Sequence, residues 1–322
     1  MVTLSHCAIV LFLFWLPALH GFLMKFVRVL ISAARGMKTD SLSKIAAYVE
    51  LSRPINGLIA FISALLGTMF AAGIEQVFTL QPLIVAASAL LILSAGNAVN
   101  DFCDTAIDRI NKPNRPIPSG RVRRRSALVF AVVLLCGGTS IGFFVNGYAV
   151  AIAALVSISL VSYAVWLKRT PLIGNLLVGL LTGLTFIAGG VAVESVRGTL
   201  VPAMFAFLFT TAREIVKDIE DVEGDAKYRA QTIAVWWDKR AAVCIALGFM
   251  FAVVVFSPFP YLLGWYSWHY FVVIVFGVDI VLTYLAVRLW KDASKTNAAR
   301  IQRWMKWDIF VGLGAVYLGA FL

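Results

Sequence analysis

Stretches of about 20 residues with few or no charges recur along this chain, and each is long enough to carry a helix through the hydrocarbon of a bilayer. The main ones run near 54–73, 79–100, 126–146, 148–167, 172–193, 199–217, 240–257, 267–290 and 305–322. A backbone in lipid must satisfy its own polar groups, so only helices or closed barrels can span. A barrel would read as short segments of strict alternation, which the sequence lacks. The chain is 61% hydrophobic and 14% charged, with a mean hydropathy of +0.87 over 322 residues, far too apolar for a soluble domain. The expectation is an all-α polytopic membrane protein with nine transmembrane helices. No short repeat, low-complexity tract or long soluble linker interrupts it. One integral domain over 37–322 is the simplest organisation.

A further apolar stretch covers about 7–34. "MVTLSHCAIVLFLFWLPALHG" has an apolar core but lacks the basic n-region of a secretory signal. Residues 1–36 therefore read as an extra hydrophobic helix, an uncleaved anchor, or an upstream start with translation beginning at Met24 or Met37. The chain from Met37 onward already holds all nine main segments, which favours the last reading.

Basic residues set the orientation. Of the 28 Lys and Arg, 24 lie on one set of flanking segments, whereas the opposite loops near 74–78, 146–147, 194–198 and 258–266 contribute only Arg197. The positive-inside rule places residue 50 in the cytoplasm and residue 322 outside. The net charge of +11 is mostly this topology signal, with some attraction to anionic headgroups. The cations are spread over every cytoplasmic loop without a recognition module, so nucleic acid is not an expected partner. No obligatory protein partner is implied. Cys7, Cys103, Cys136 and Cys244 form no CxxC pair and read as reduced packing residues. His6, His20 and His269 are scattered too widely for a metal site. Trp265, Tyr266, Trp268 and Tyr270 read as an aromatic belt at the outer face.

Against this apolar background, ten of the 17 acidic residues fall in two stretches and their edge. "NDFCDTAID", 100–108, spaces Asn100, Asp104 and Asp108 at i, i+4 and i+8, one stripe of a helix, with Asp101 alongside. Like charges at that spacing repel unless a cation bridges them. Carboxylate and amide oxygens are hard ligands that suit Mg²⁺, which commonly binds through a few carboxylates plus substrate phosphates. In "REIVKDIEDVEGDAKYRAQT", Asp218, Asp221 and Asp225 share a face if the helix persists through Gly224. Topology puts both clusters at the same membrane border, free to face each other across a cavity. Two carboxylate clusters with cations nearby suit a diphosphate held by bridging metals, with Arg115, Lys168 and Lys217 supplying further positive charge. "NKPNRPIPSGRV", 111–122, holds three prolines and a glycine, so it is a structured loop. Asn111, Lys112, Arg115 and Ser119 give that loop anion-binding capacity.

These residues carry a resemblance. "NDFCDTAID" matches the NDxxDxxxD motif of the UbiA superfamily of intramembrane prenyltransferases, and "NRPIPSG" is that superfamily's usual continuation. "DVEGD" matches its DxxxD motif at Asp221 and Asp225; "LSRPIN", "SYAVWLKR" and the "GN" at 174–175 are similar to further landmarks. The resemblance runs from about residue 45 to the C-terminus and implies a nine-helix prenyltransferase bundle. Within the superfamily, "REIVKDIEDVEGD" and "KYRAQT" look most like archaeal digeranylgeranylglyceryl phosphate synthases, with chlorophyll-synthase-type relatives sharing part of the pattern.

The resemblance implies a transfer of geranylgeranyl from geranylgeranyl diphosphate to the free hydroxyl of geranylgeranylglyceryl phosphate, a step of archaeal ether-lipid (phospholipid) biosynthesis. By the same resemblance Mg²⁺ is held by Asn100, Asp104 and Asp108, and by Asp221 and Asp225 assisted by Asp218; Asp104, Asp108, Asp221 and Asp225 are the catalytic set. Arg53, Asn56, Lys112, Arg115, Tyr163, Lys168 and Lys217 are expected around the diphosphate or an acceptor phosphate. Two alternatives stand: an aromatic acceptor, as in quinone, tocopherol or chlorophyll-type pathways, and an ion-coupled transporter. Transport favours charges near the bilayer midplane, whereas these clusters sit at one border. The small-residue stretch 179–190 suits close helix packing or an apolar channel for the prenyl tail.

Overall fold

The computed structural model describes residues 40–227 and 232–322. The expected N-terminal segment 1–36 lies outside the described residues, as do positions 228–231 of the "KYRAQT" stretch. Among the described residues every regular element is helical. Eight helical stretches, from Pro54–Ala72 to Trp268–Lys291, are long and apolar enough to cross a membrane, and they coincide with the first eight apolar segments. The chain is a multi-pass membrane protein. The ninth segment also forms helix, within Lys295–Phe321, but Lys306 and Asp308 near its start leave it outside that class.

The chain divides into two compact units. The first holds 40–168 and 184–200. Its helices are α1 (Asp40–Ser52), α2 (Pro54–Ala72), α3 (Leu80–Cys103), α4 (Thr105–Asn111), α5 (Arg124–Ser140) and α6 (Gly147–Val165), together with the C-terminal part of α7 (Ile173–Val191). Pro54 opens α2, where its missing N–H costs nothing, and Arg53 before it takes a left-handed φ of 48°. The long α3 is central, packed by α2, α5 and α6.

Lipid tails are as apolar as leucine, so helices associate through close packing and interhelical hydrogen bonds. Thr68 Oγ1 donates to the Gly189 carbonyl at 2.8 Å, Ser88 Oγ to that of Gly138 at 2.6 Å, and Asn146 Nδ2 to that of Val191 at 3.0 Å. Gly189 permits the first of these: a Cβ there would overlap the Ala64 carbonyl oxygen.

The second unit holds 169–183, 201–227 and 232–322. It contains the start of α7, then α8 (Leu200–Lys227), α9 (Lys239–Phe256), α10 (Trp268–Val273), α11 (Ile280–Lys291) and α12 (Lys295–Phe321). Gly179 and Gly183 let α7 approach the Phe207 and Ala203 carbonyls of α8. The aromatic belt needs one correction. Trp265 and Trp268 are exposed, but Tyr270 is fully buried and its hydroxyl donates to the Ser257 carbonyl at 2.6 Å. Residues two apart on a helix point to nearly opposite sides, so Trp268 and Tyr270 cannot share a belt.

The packing predicts a contrast. Gly189→Leu overpacks the first unit, at about 1–3 kcal/mol, and lowers the melting temperature by roughly 5 °C. Gly137→Leu, where an added Cβ meets nothing within 4 Å, leaves it unchanged. Thermal unfolding of both purified variants by intrinsic fluorescence checks this; equal melting temperatures would contradict it.

Candidate active site

The first acidic stripe does not lie on one unbroken helix. α3 ends at Cys103, Asp104 sits at the junction with φ −85° and ψ 3°, and α4 begins at Thr105. The hydrogen-bond ladder nevertheless continues through the break. Asp104 N donates to Asn100 O at 2.9 Å, Asp108 N to Asp104 O at 2.8 Å and Lys112 N to Asp108 O at 2.8 Å. Asn100, Asp104 and Asp108 therefore keep their common stripe.

Each carboxylate on this stripe is met by a cation. Lys168 Nζ, from the turn after α6, pairs with Asp104 Oδ2. Arg115 Nη1 pairs with Asp108 Oδ2 at 2.6 Å and with Asp101 Oδ1 at 3.1 Å. Arg53 Nη2 pairs with the same oxygen of Asp101. Asp101 and Asp108 are buried, and a buried carboxylate is tolerated only when paired.

Asp101 is the residue that sequence reasoning left outside the site. Its position beside the stripe was visible, but the fact that it clamps both Arg53 and Arg115 depends on the fold.

The proline-rich loop is held from two sides. Ile117 and Val122 are buried with Leu51, Val99 and Ala127, which anchors the loop on α1, α3 and α5. Arg121 forms a bidentate pair with Glu50, at 2.7 and 3.1 Å. Gly120, with φ 78°, supplies the left-handed turn that other residues take at a cost. This anchoring delivers Arg115 to the two aspartates. Lys112 stands exposed at the loop edge, where partial desolvation, then the neighbouring Arg115, hold its ammonium below the ordinary value. Asn56 is exposed on the first turn of α2 and Tyr163 half-buried near the end of α6.

The second stripe lies on α8, whose helix does persist through Gly224. Asp218 Oδ2 accepts from Asn175 Nδ2 of α7 at 2.8 Å, and Asp221 is exposed. The Asp225 backbone continues α8, while its side chain lies outside the described residues. Lys217 pairs with Glu214 Oε2 at 3.3 Å.

The donor chemistry fits Mg²⁺. Asn100 Oδ1 is buried without a hydrogen-bond partner, on the same stripe as two carboxylates, and all three offer hard oxygens. Among the described residues no three His, Cys, Asp or Glu side chains form a ready-made cage.

The sequence profile of the UbiA prenyltransferase family matches residues 60–310. The chain belongs to this family. Among its curated relatives, the digeranylgeranylglyceryl phosphate synthase of Methanosphaera stadtmanae is 35% identical over 85% of this chain and 98% of its own length. That of Natronomonas pharaonis is 37% identical over 86% and 98%. A solved structure concerned with digeranylgeranylglyceryl phosphate synthase in membranes aligns with a TM-score of 0.77 at 33% identity, over 86% of this chain and 98% of that one. A UbiA homologue from Archaeoglobus fulgidus, solved with GPP and Mg²⁺, shares the fold with a TM-score of 0.66 at 17% identity, over 84% and 99%.

The clamp yields a graded prediction. Asp101→Asn strips two arginines of their shared partner and destabilises the chain by about 1–3 kcal/mol. Glu50→Gln, at a pair more open to solvent, costs under about 1 kcal/mol. Parallel thermal unfolding ranks the two, and a larger loss in Glu50→Gln would contradict the assignment.

Proposed function

We propose that this UbiA-family prenyltransferase catalyses Mg²⁺-dependent transfer of geranylgeranyl from geranylgeranyl diphosphate to the free hydroxyl of geranylgeranylglyceryl phosphate. The reading rests on one observation above others: the NDxxDxxxD stripe, with its unpartnered Asn100 oxygen, is held ready by Arg115 and Lys168. The relatives' names support a glyceryl phosphate acceptor over an aromatic ring. The domain is the stretch 37–322, with α12 as its ninth crossing. The basic loops support a cytoplasmic site and a C-terminus outside.

In this reading Asn100, Asp104 and Asp108 hold one Mg²⁺, and Asp218, Asp221 and Asp225 a second. Bound Mg²⁺ neutralises the charge that gathers on the departing diphosphate. The allylic C–O bond breaks with its electron pair leaving on diphosphate. The acceptor hydroxyl oxygen then bonds to the allylic carbon and its proton is lost to solvent.

Arg115 exchanges Asp108, and Lys168 exchanges Asp104, for diphosphate oxygens as the polyanion arrives. Arg53 and Lys112 add positive charge beside the first stripe and Lys217 beside the second, while Asn56 and Tyr163 contribute polar contacts. Asp101 keeps Arg53 and Arg115 in place, and Asn175 orients Asp218.

Asp104→Asn should lower transfer roughly 100-fold or more, in a protein that still inserts and melts normally, and EDTA should abolish transfer in the unaltered chain. A radiolabelled prenyl-transfer assay on membranes, with glyceryl phosphate and aromatic acceptors in parallel, measures both. Retained Mg²⁺-dependent transfer in Asp104→Asn would contradict the metal role.

A further inference from the structure

The second unit carries a cationic cluster of which the proposed function so far uses only Lys217. On α8, Arg213, Lys217 and Asp221 are spaced i, i+4 and i+8, so a basic stripe runs along the helix from the DxxxD motif toward the apolar segment. Lys306, on α12, lies within electrostatic reach of both Arg213 and Lys217. Arg213, Lys217 and Lys306 are gathered here among Glu214, Asp218 and Glu220. Glu214 is engaged by Arg213 at 3.0 Å and by Lys217 at 3.3 Å, and Glu220 also lies within reach of Lys306. Ionisable residues inside membrane helices mark functional sites by default.

The guanidinium of Arg213 shows where an anion would sit. Its Nη1 is committed to Glu214. Its Nε is buried without a partner, and its Nη2 reaches the neutral Gln302 Oε1 only at 3.5 Å. The Nε and Nη2 donors form one edge of the guanidinium fork, the edge that grips a phosphate with two parallel hydrogen bonds. Gln302 covers that edge with a weak contact, and a phosphate displaces it at little loss. Lys306 extends from the same helix as Gln302, one turn on.

We infer that Arg213, Lys217 and Lys306 form a subsite for the phosphomonoester of the lipid acceptor, adjoining the DxxxD stripe on α8. Arg213 takes the phosphate side-on through Nε and Nη2, and the two lysines supply point charges. This deepens the proposed function: the subsite is what makes a glyceryl phosphate lipid the preferred acceptor over an uncharged alcohol of the same chain length.

Equilibrium binding to the full chain in nanodiscs tests the subsite without catalysis. Titration with geranylgeranylglyceryl phosphate and with geranylgeranylglycerol, read by tryptophan fluorescence, should show tighter binding of the phosphate-bearing lipid. Arg213→Gln and Lys306→Gln should each reduce that preference roughly tenfold, with binding of the uncharged lipid unchanged. Lys306 is exposed, so its variant reports even if Arg213→Gln folds poorly. An undiminished preference in a folded Lys306→Gln variant, or weaker binding of both lipids alike, would overturn the subsite. Weaker binding of geranylgeranyl diphosphate alone would also overturn it, by giving the cluster to the donor. An intact preference in a wild-type chain that transfers nothing would count against the proposed reaction and in favour of the subsite.

Discussion

A carboxylate at the edge of a bilayer has to be neutralised, and the described structure is organised around how that is done. Asp101, Asp104 and Asp108 lie at the end of an apolar helix, where an unpaired charge is costly. Arg53, Arg115 and Lys168 come from three separate places in the chain to meet them. The left-handed Arg53 before Pro54, the anchored proline-rich loop and the turn after α6 make sense as the means of delivering those cations.

The proposed function makes use of the same pairing. In it, carboxylates held in place by flexible cations are handed to a metal when a polyanion arrives to take the cations in exchange. Asn100 keeps a buried, unpartnered oxygen on the same stripe. Asp101 is different, because two arginines share one of its oxygens. It serves as an anchor for them.

Much of this was legible in the sequence. Uncharged runs gave the spans, and the four-residue spacing of Asn100, Asp104 and Asp108 gave the stripe, because helical periodicity survives the break at Asp104. What stayed hidden depends on contacts distant in the chain. Nothing in the local pattern told that Asp101 would collect Arg53 from 48 positions away, or that Asn175 would meet Asp218. Tyr270 was misread as a belt residue because interfacial aromatics were grouped by nearness in sequence, although helical geometry turns it inward. Arg213 passed as one more cytoplasmic cation, since its unsatisfied edge is a property of side-chain geometry. The ninth segment was recognisable as a helix, while Lys306 and Asp308 dilute its apolar signal.

The central claim is that the first aspartate stripe exchanges its cations for metal when prenyl diphosphate binds. Anomalous diffraction from crystals grown with Mn²⁺ and a non-hydrolysable geranylgeranyl thiolodiphosphate tests it most directly. The account predicts manganese bound by Asn100, Asp104 and Asp108, with Lys168 and Arg115 moved onto phosphate oxygens. Manganese bound elsewhere, with Lys168 still on Asp104 and Arg115 still on Asp108, would contradict it.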